Sequence, residues 1–361
     1  MQLRIPGPTP CPDEVLQAMT KQMINHRGKE FGALLRQVTQ QLKGVFQTRG
    51  DILILTGSGT GGMEAAIVNT LSPGDKVLSV SIGDFGDRFA NIAQQFGAEV
   101  KRLGFEWGTP ADPETVRRTL ESDAAIKAVL VTHNETSTGI TNDLAAISAV
   151  VKEFDLLLIV DGVSSISSID LPVDDWQVDV AVTASQKGWM APPGLAMVSM
   201  SQKAWQAYEK AKMPRFYWDL GKAKRFVEEK GNQTPWTPAV STFYALAVAL
   251  DMLERETLSK VFARHAQVGK AAREGIISIG LSLFANEAHA SNTVTAIKGP
   301  EGVDLKKLLQ ILREDYGVVL AGGQGKLDGK IFRIGHMGWV TEADIGEVIA
   351  ALKAALPQAR S

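Results

Sequence analysis

A single cysteine, Cys11, stands in the 361 residues of this chain. One thiol can close no internal disulfide, and it cannot supply the ligands of an iron–sulfur cluster. The five histidines, at 26, 133, 265, 289 and 336, show no metal-ligand spacing, which argues against a zinc site. Neither sign of charge is in excess. With 38 Lys and Arg against 40 Asp and Glu the formal net charge is −2, so the basic footprint of a nucleic-acid-binding protein is missing. Long apolar runs are missing too. FYALAVAL at 243–250 meets Asp251 and is far short of a membrane span. The N-terminal MQLRIPGPTPCP has no apolar h-region of a secretory signal. We therefore expect a cytoplasmic protein with neither nucleic acid nor membrane as a partner.

What is present is an ordinary globular composition, 45% apolar and 22% charged, in a chain long enough to bury a large core unaided. From about residue 51 to 200, strand and helix patterns alternate. DILILT (51–56), KVLSV (76–80), IKAVLVT (126–132), LLLIV (156–160), VDVAVTA (178–184) and LAMVSM (195–200) read as buried parallel strands. Between them Met63, Ala66, Ile67, Thr70 and Leu71, then Phe89, Ile92, Ala93 and Phe96, recur with helical spacing. An open, mostly parallel α/β sheet covered on both faces follows. Beyond a proline-broken loop, NQTPWTP at 232–238, and a long helix over about 239–255, a smaller α+β unit begins. We expect a large unit over 16–255 and a small one over 256–361, joined by residues 1–15.

TGSGTGGME at 56–64 spells G-x-G-x-x-G through Gly57, Gly59 and Gly62. A dinucleotide site would need this turn on an early strand and an acid closing the next one. The turn instead begins some fifty residues in, and the acids on offer are Asp75, before the next strand, and Asp84, in an aromatic context. What remains is general: backbone N–H groups at a glycine-rich helix N-terminus hold a phosphate, with Ser58 and Thr60 adding hydroxyls, unless the turn is only a helix cap.

Three further strand ends carry chemistry. Asp161 closes LLLIVD, Lys187 follows VDVAVTA by a few residues, and Glu135 and Thr136 follow IKAVLVT. In a doubly wound sheet these ends share one crevice with the glycine turn. A phosphate cradle, a buried acid and a lysine are what a pyridoxal 5′-phosphate enzyme requires: the lysine forms the Schiff base and the acid pairs with the pyridinium nitrogen. The cationic ring keeps Asp161 ionised, while desolvation and that same ring lower the pKa of Lys187, fitting it as a general base. Phe85 is placed either to stack on the ring or to pack as core. Arg333, at another strand end, can fork onto an α-carboxylate or serve a structural ion pair.

The motifs PGPTP (6–10), TGSGTGGMEAA (56–66), PGDKVL (73–78), FGDR (85–88), THNETSTG (132–139), VDGVSS (160–165), SQKGWMAPPG (185–194) and FRIGHMG (332–338) run almost end to end. With them the chain resembles the fold-type I, class V aminotransferases of the alanine–glyoxylate/serine–pyruvate group. The resemblance implies that Lys187 carries the cofactor, that Asp161 and Val163 contact the pyridine ring, and that Phe85 stacks on it, where many relatives have Trp. Thr136 would reach the ring hydroxyl, and Ser58, Gly59, Thr60 and Gln186 would surround the phosphate. Arg333 would grip the substrate carboxylate, with Gly7 beside the substrate. Relatives are homodimers that borrow phosphate contacts from the partner, which points to Thr234 and Thr237.

The activity implied moves an amino group from alanine, serine or glycine to glyoxylate or pyruvate. No second carboxylate clamp is obvious, with Arg27, Arg88 and Arg215 the candidates. A lyase of the same fold is the in-family alternative, and a nicotinamide oxidoreductase the alternative outside it. A cysteine desulfurase lacks its later-loop cysteine here. Some members of the group carry a soluble-hydrogenase label, but one cysteine cannot furnish nickel–iron or iron–sulfur ligands. His133 reads as a hydrogen-bonded structural residue, and 222–230 as a solvated helix face.

Overall fold

A computed structural model describes residues 1–360. Its centre is a seven-stranded sheet: β1 Asp51–Gly57, β2 Lys76–Ser81, β3 Glu99–Gly104, β4 Ile126–Thr132, β5 Leu157–Asp161, β6 Val180–Ala184 and β7 Gly194–Met200. The spatial order is β1-β7-β6-β5-β4-β2-β3. Six strands run the same way. The seventh, β7, is antiparallel to both neighbours, pairing Ala196 with Ala184 and with Leu55. This corrects the expectation of a parallel LAMVSM. The segment 185–193 between β6 and β7 contains no helix, and a parallel return would need a crossover of a dozen residues or more. The chain can only turn back.

β3 was not foreseen. It is the sheet edge, half exposed along EVKRLG, and its charged side chains mask the alternation that betrays a strand. The other strands are buried on both faces, where helices cover Leu78, Val131 and Val160 on one side and Leu55, Ile159 and Val182 on the other.

The helix Gly59–Thr70 carries glycines at 61 and 62 in its first turns, each costing roughly 1 kcal/mol relative to alanine. Close packing explains them: a Cβ on Gly62 would lie 2.6 Å from Val182 Cγ1, and one on Gly61 2.7 Å from the Trp218 ring. Small residues thus let this helix N-terminus sit against β6, over the carboxyl edge of the sheet.

A separate apolar core forms around the three-stranded sheet of Val294–Lys298, Ile331–Gly335 and Ala321–Gly322, packed by the helices Leu258–Ser278, Leu305–Glu314 and Glu342–Ala355. Gln2–Leu3 pairs in parallel with Val318–Val319, and the Gly335 N–H donates to the Arg4 carbonyl. The predicted strand VVLA is thus divided between this short pair and Ala321–Gly322. From its anchor the N-terminal segment crosses to the large sheet, where the Thr9 N–H donates to the Gln186 carbonyl. No helix of the described residues is long and apolar enough to cross a membrane.

Candidate active site

The carboxyl ends of β1, β2, β5 and β6 converge on a cavity of about 210 Å³ lined by Ser58, Gly59, Thr60, Met63, Phe85, Arg88, Asp161, Val163, Gln186 and Lys187. Residues from four loops far apart in sequence thus meet because parallel strands end on one side.

Asp161 is the last residue of β5 and is 3% exposed. Its Oδ1 accepts from the Val163 N–H at 2.9 Å, and its Oδ2 from the Thr132 hydroxyl at 3.5 Å. Among the described residues it forms no ion pair. Burial pushes its pKa up to about 6, against the opposing pull of the Val163 N–H and the Lys187 charge. Lys187 and Arg88 share its cavity, but among the described residues no cation stands within ion-pair distance of it.

Lys187 sits in the tight turn after β6. Its Nζ donates to the Pro6 carbonyl, and its own carbonyl accepts from Thr9 Oγ1 at 3.0 Å. Desolvation lowers its pKa to about 8; Asp161 opposes that, while the Arg333 and Arg88 charges assist. Gly7 is pressed against it. A Cβ there would lie 2.8 Å from Lys187 Cδ and Nζ, and its φ of +119° suits only glycine.

Ser58 caps the helix Gly59–Thr70, its Oγ accepting from the Gly61 N–H. Gly59 is as tightly placed, since a Cβ would approach Val163 Cγ2 to 2.9 Å. Gln186 leaves a buried Oε1 without a partner. Phe85 opens the helix Asp84–Gln95, and the Arg88 guanidinium lies 4.6 Å from its ring centroid.

The buried turn after β4 joins this cavity to the small sheet. Glu135, fully buried, accepts from the N–H groups of Phe85, Gly86 and Ser137 and from the Ser137 hydroxyl. Burial raises its pKa to about 7. Thr136 donates its hydroxyl to Ser164 at 2.9 Å, and its carbonyl accepts from Arg333 Nη1 at 3.1 Å. In the strand Ile331–Gly335, Phe332 and Ile334 face the small core while Arg333 points the other way. Arg333 is 5% exposed and, among the described residues, has no carboxylate partner. Burial lowers its pKa to about 10.

Thr234 and Thr237 do not line the cavity. Thr234 bonds within its own loop, to the Trp236 carbonyl, and Thr237 is exposed. Of the three arginines considered for a second clamp, only Arg88 reaches the cavity. Arg27 is bound to the Thr234 carbonyl, and Arg215 to the carbonyls of Val68 and Ala211. Sequence reasoning placed Glu135 at the shared crevice without assigning it a task and missed Gln324, whose Oε1 accepts from Arg333 Nη1 at 3.0 Å. His133 is buried, but its Nδ1 has no hydrogen-bond partner; its ring rests edge-on against Trp176. Its hydrogen bonds are made by the backbone, to the Asp161 carbonyl and from the Asn142 N–H.

Residues 3–328 match the family model described as aminotransferase class-V. The chain is 44% identical over 359 residues to the soluble hydrogenase 42 kDa subunit of Anabaena cylindrica, covering 99% of this chain and 93% of that one. It is 39% identical over 365 residues to the serine–glyoxylate aminotransferase of Methylorubrum extorquens, covering 98% and 90%. Its fold superposes on the crystal structure of alanine–glyoxylate aminotransferase from Nostoc sp. with a TM-score of 0.94 at 32% identity, covering 98% and 94%.

Proposed function

The chain belongs to the class V aminotransferases, and from that premise we propose that it uses pyridoxal 5′-phosphate to move the amino group of a small amino acid, of the alanine, serine or glycine type, to glyoxylate or pyruvate. The observation that carries this reading is a buried lysine and a buried, unpaired aspartate in one cavity with a glycine-rich helix N-terminus. The residues fit the cofactor on three counts. Asp161 needs a cation, which a protonated ring nitrogen supplies. The N–H groups of Gly59 and Thr60 suit a phosphate, and the Ser58 hydroxyl, whose oxygen accepts from the Gly61 N–H, keeps its own O–H to donate.

When bound, pyridoxal phosphate supplies an aldehyde to carry nitrogen and a ring that accepts the electron pair left on Cα. The protein's own residues do the rest. Asp161, as the anion, would keep the ring nitrogen protonated. Phe85 and Val163 would hold the ring, and Thr136, whose hydroxyl donates to Ser164, would offer its Oγ1 to the ring hydroxyl. Arg333 binds the α-carboxylate and so turns the Cα–H toward Lys187; Gly7 leaves room beside it. Lys187 Nζ, neutral above about pH 8, would take the proton from Cα and give it up on the cofactor side, the reverse transfer serving the acceptor.

The chain's division near residue 255, its cytoplasmic setting and its homodimeric assembly belong to the same proposal. Phe216 is 81% exposed and Tyr217 41%, in a loop beside β1 where the Tyr217 hydroxyl donates to the Thr56 carbonyl. Covering by a second copy, which would bring Thr234 and Thr237 toward the partner's phosphate, accounts for that exposure. Hydrogenase chemistry has no comparable support, since Cys11 is the sole cysteine.

The reading predicts a yellow protein whose visible band disappears on borohydride reduction, with the label on Lys187 by peptide mass. Lys187→Ala should lose essentially all turnover of alanine with glyoxylate. A colourless protein, or a label elsewhere, refutes the proposal.

A further inference from the structure

Arg333 is more heavily engaged than a carboxylate clamp would be, and one of its holders is detachable. A guanidinium has five N–H groups. Three are taken here: Nε by the Gly322 carbonyl at 2.9 Å, and Nη1 by the Thr136 carbonyl at 3.1 Å and Gln324 Oε1 at 3.0 Å. Fork-to-fork pairing with a carboxylate uses two neighbouring nitrogens, yet only Nη2 is wholly open. One holder must withdraw before a carboxylate can bind in that way.

Two of the holders are fixed. Gly322 lies in a strand paired with the strand of Arg333 itself, and Thr136 is in a buried turn pinned through its hydroxyl to Ser164. Gln324 is the only side chain among the three. It is half-buried at the N-cap of the short 3-10 turn Gly325–Leu327, whose first two residues, Gly325 and Lys326, are exposed. Its amide oxygen presents to Nη1 what a carboxylate oxygen would present.

We propose that Gln324 is a stand-in for the substrate carboxylate: its Oε1 keeps the buried guanidinium aimed while the site is empty, and cedes Nη1 when an α-carboxylate arrives. It is a positioning residue acting through Arg333, and the inference rests on the reading of Arg333 as the carboxylate clamp. Each incoming carboxylate must displace one hydrogen bond to a charged group, so Gln324 tunes affinity for carboxylates as a class and leaves affinity for amines alone.

The test uses the cofactor-loaded enzyme, with acetate as competitive inhibitor and methylamine as the carboxylate-free probe read from the visible spectrum. Gln324→Ala should tighten acetate inhibition and lower the KM for alanine about three- to tenfold, the scale of one displaced hydrogen bond, with methylamine affinity unchanged. Gln324→Glu, a tethered carboxylate, should raise both constants more than about tenfold. Unchanged or weakened acetate inhibition in Gln324→Ala overturns the inference, because a purely structural prop would loosen Arg333. Arg333→Ala separates the two layers: it should abolish acetate inhibition, and if it does not, the clamp reading itself fails and the inference with it.

Discussion

Lys187 is tuned by what is packed around it. Loss of water disfavours its ammonium, Arg333 and Arg88 add like charge, and Asp161 only partly offsets them. Its position depends equally on Gly7, whose missing side chain is the space that Nζ occupies. Gly7→Ala would introduce a methyl group at 2.8 Å and force L-residue geometry at φ +119°, a strain of about 1–3 kcal/mol. We expect cofactor affinity and kcat each to fall at least about tenfold, measured by spectral titration and steady-state turnover. A variant with wild-type values would show that Lys187 has room to spare. PGPTP was legible as a motif, but nothing local says that its glycine must lie against a lysine 180 residues away.

At the scale of elements, the helix Asp84–Gln95 owes its start to a residue outside it. The Phe85 and Gly86 N–H groups are among those its first turn leaves unpaired, and Glu135 reaches across from the turn after β4 to take both. A Cβ on Gly83 would meet Glu135 Cδ at 2.5 Å, so the carboxylate is wedged beneath that turn. Glu135→Ala leaves these donors buried without partners and should cost about 2–3 kcal/mol in urea unfolding, with loosened cofactor binding through Phe85. A loss below about 0.5 kcal/mol would mean the turn holds itself. Both elements were readable in the sequence, as was Asp161 at a strand end. Their contact was not, because fifty residues separate Glu135 from Phe85. The direction of β7 was readable too, from the short 185–193 connection, but an apolar run buried on both faces looks the same in either sense.

The large and the small sheet, each with its own apolar packing, are bridged at the site. Asp161 and Lys187 stand on the large sheet and Arg333 on the small one, with the turn 135–137 and residues 4–9 crossing between them. A relative shift of the two sheets would move Arg333 against Lys187. On the dimeric reading proposed above, a partner subunit would brace this arrangement and cover the exposed Phe216. Sedimentation equilibrium should give a mass twice 38.9 kDa. Phe216→Glu should shift the chain toward monomer and weaken cofactor affinity, and a monomeric wild type with full affinity would reject shared sites.

By itself the sequence determined the alternation of strands and helices, the class of chemistry and the residues at the strand ends. Those follow from local pattern: side-chain period, turn residues, and acid and lysine at fixed places after apolar runs. Only the tertiary structure decided which donors remain open. Among the described residues Asp161 has no ion-pair partner, Arg333 keeps Nη2 open, and Gln324 holds Nη1, because hydrogen-bond satisfaction depends on groups that meet only when distant loops close over one cavity.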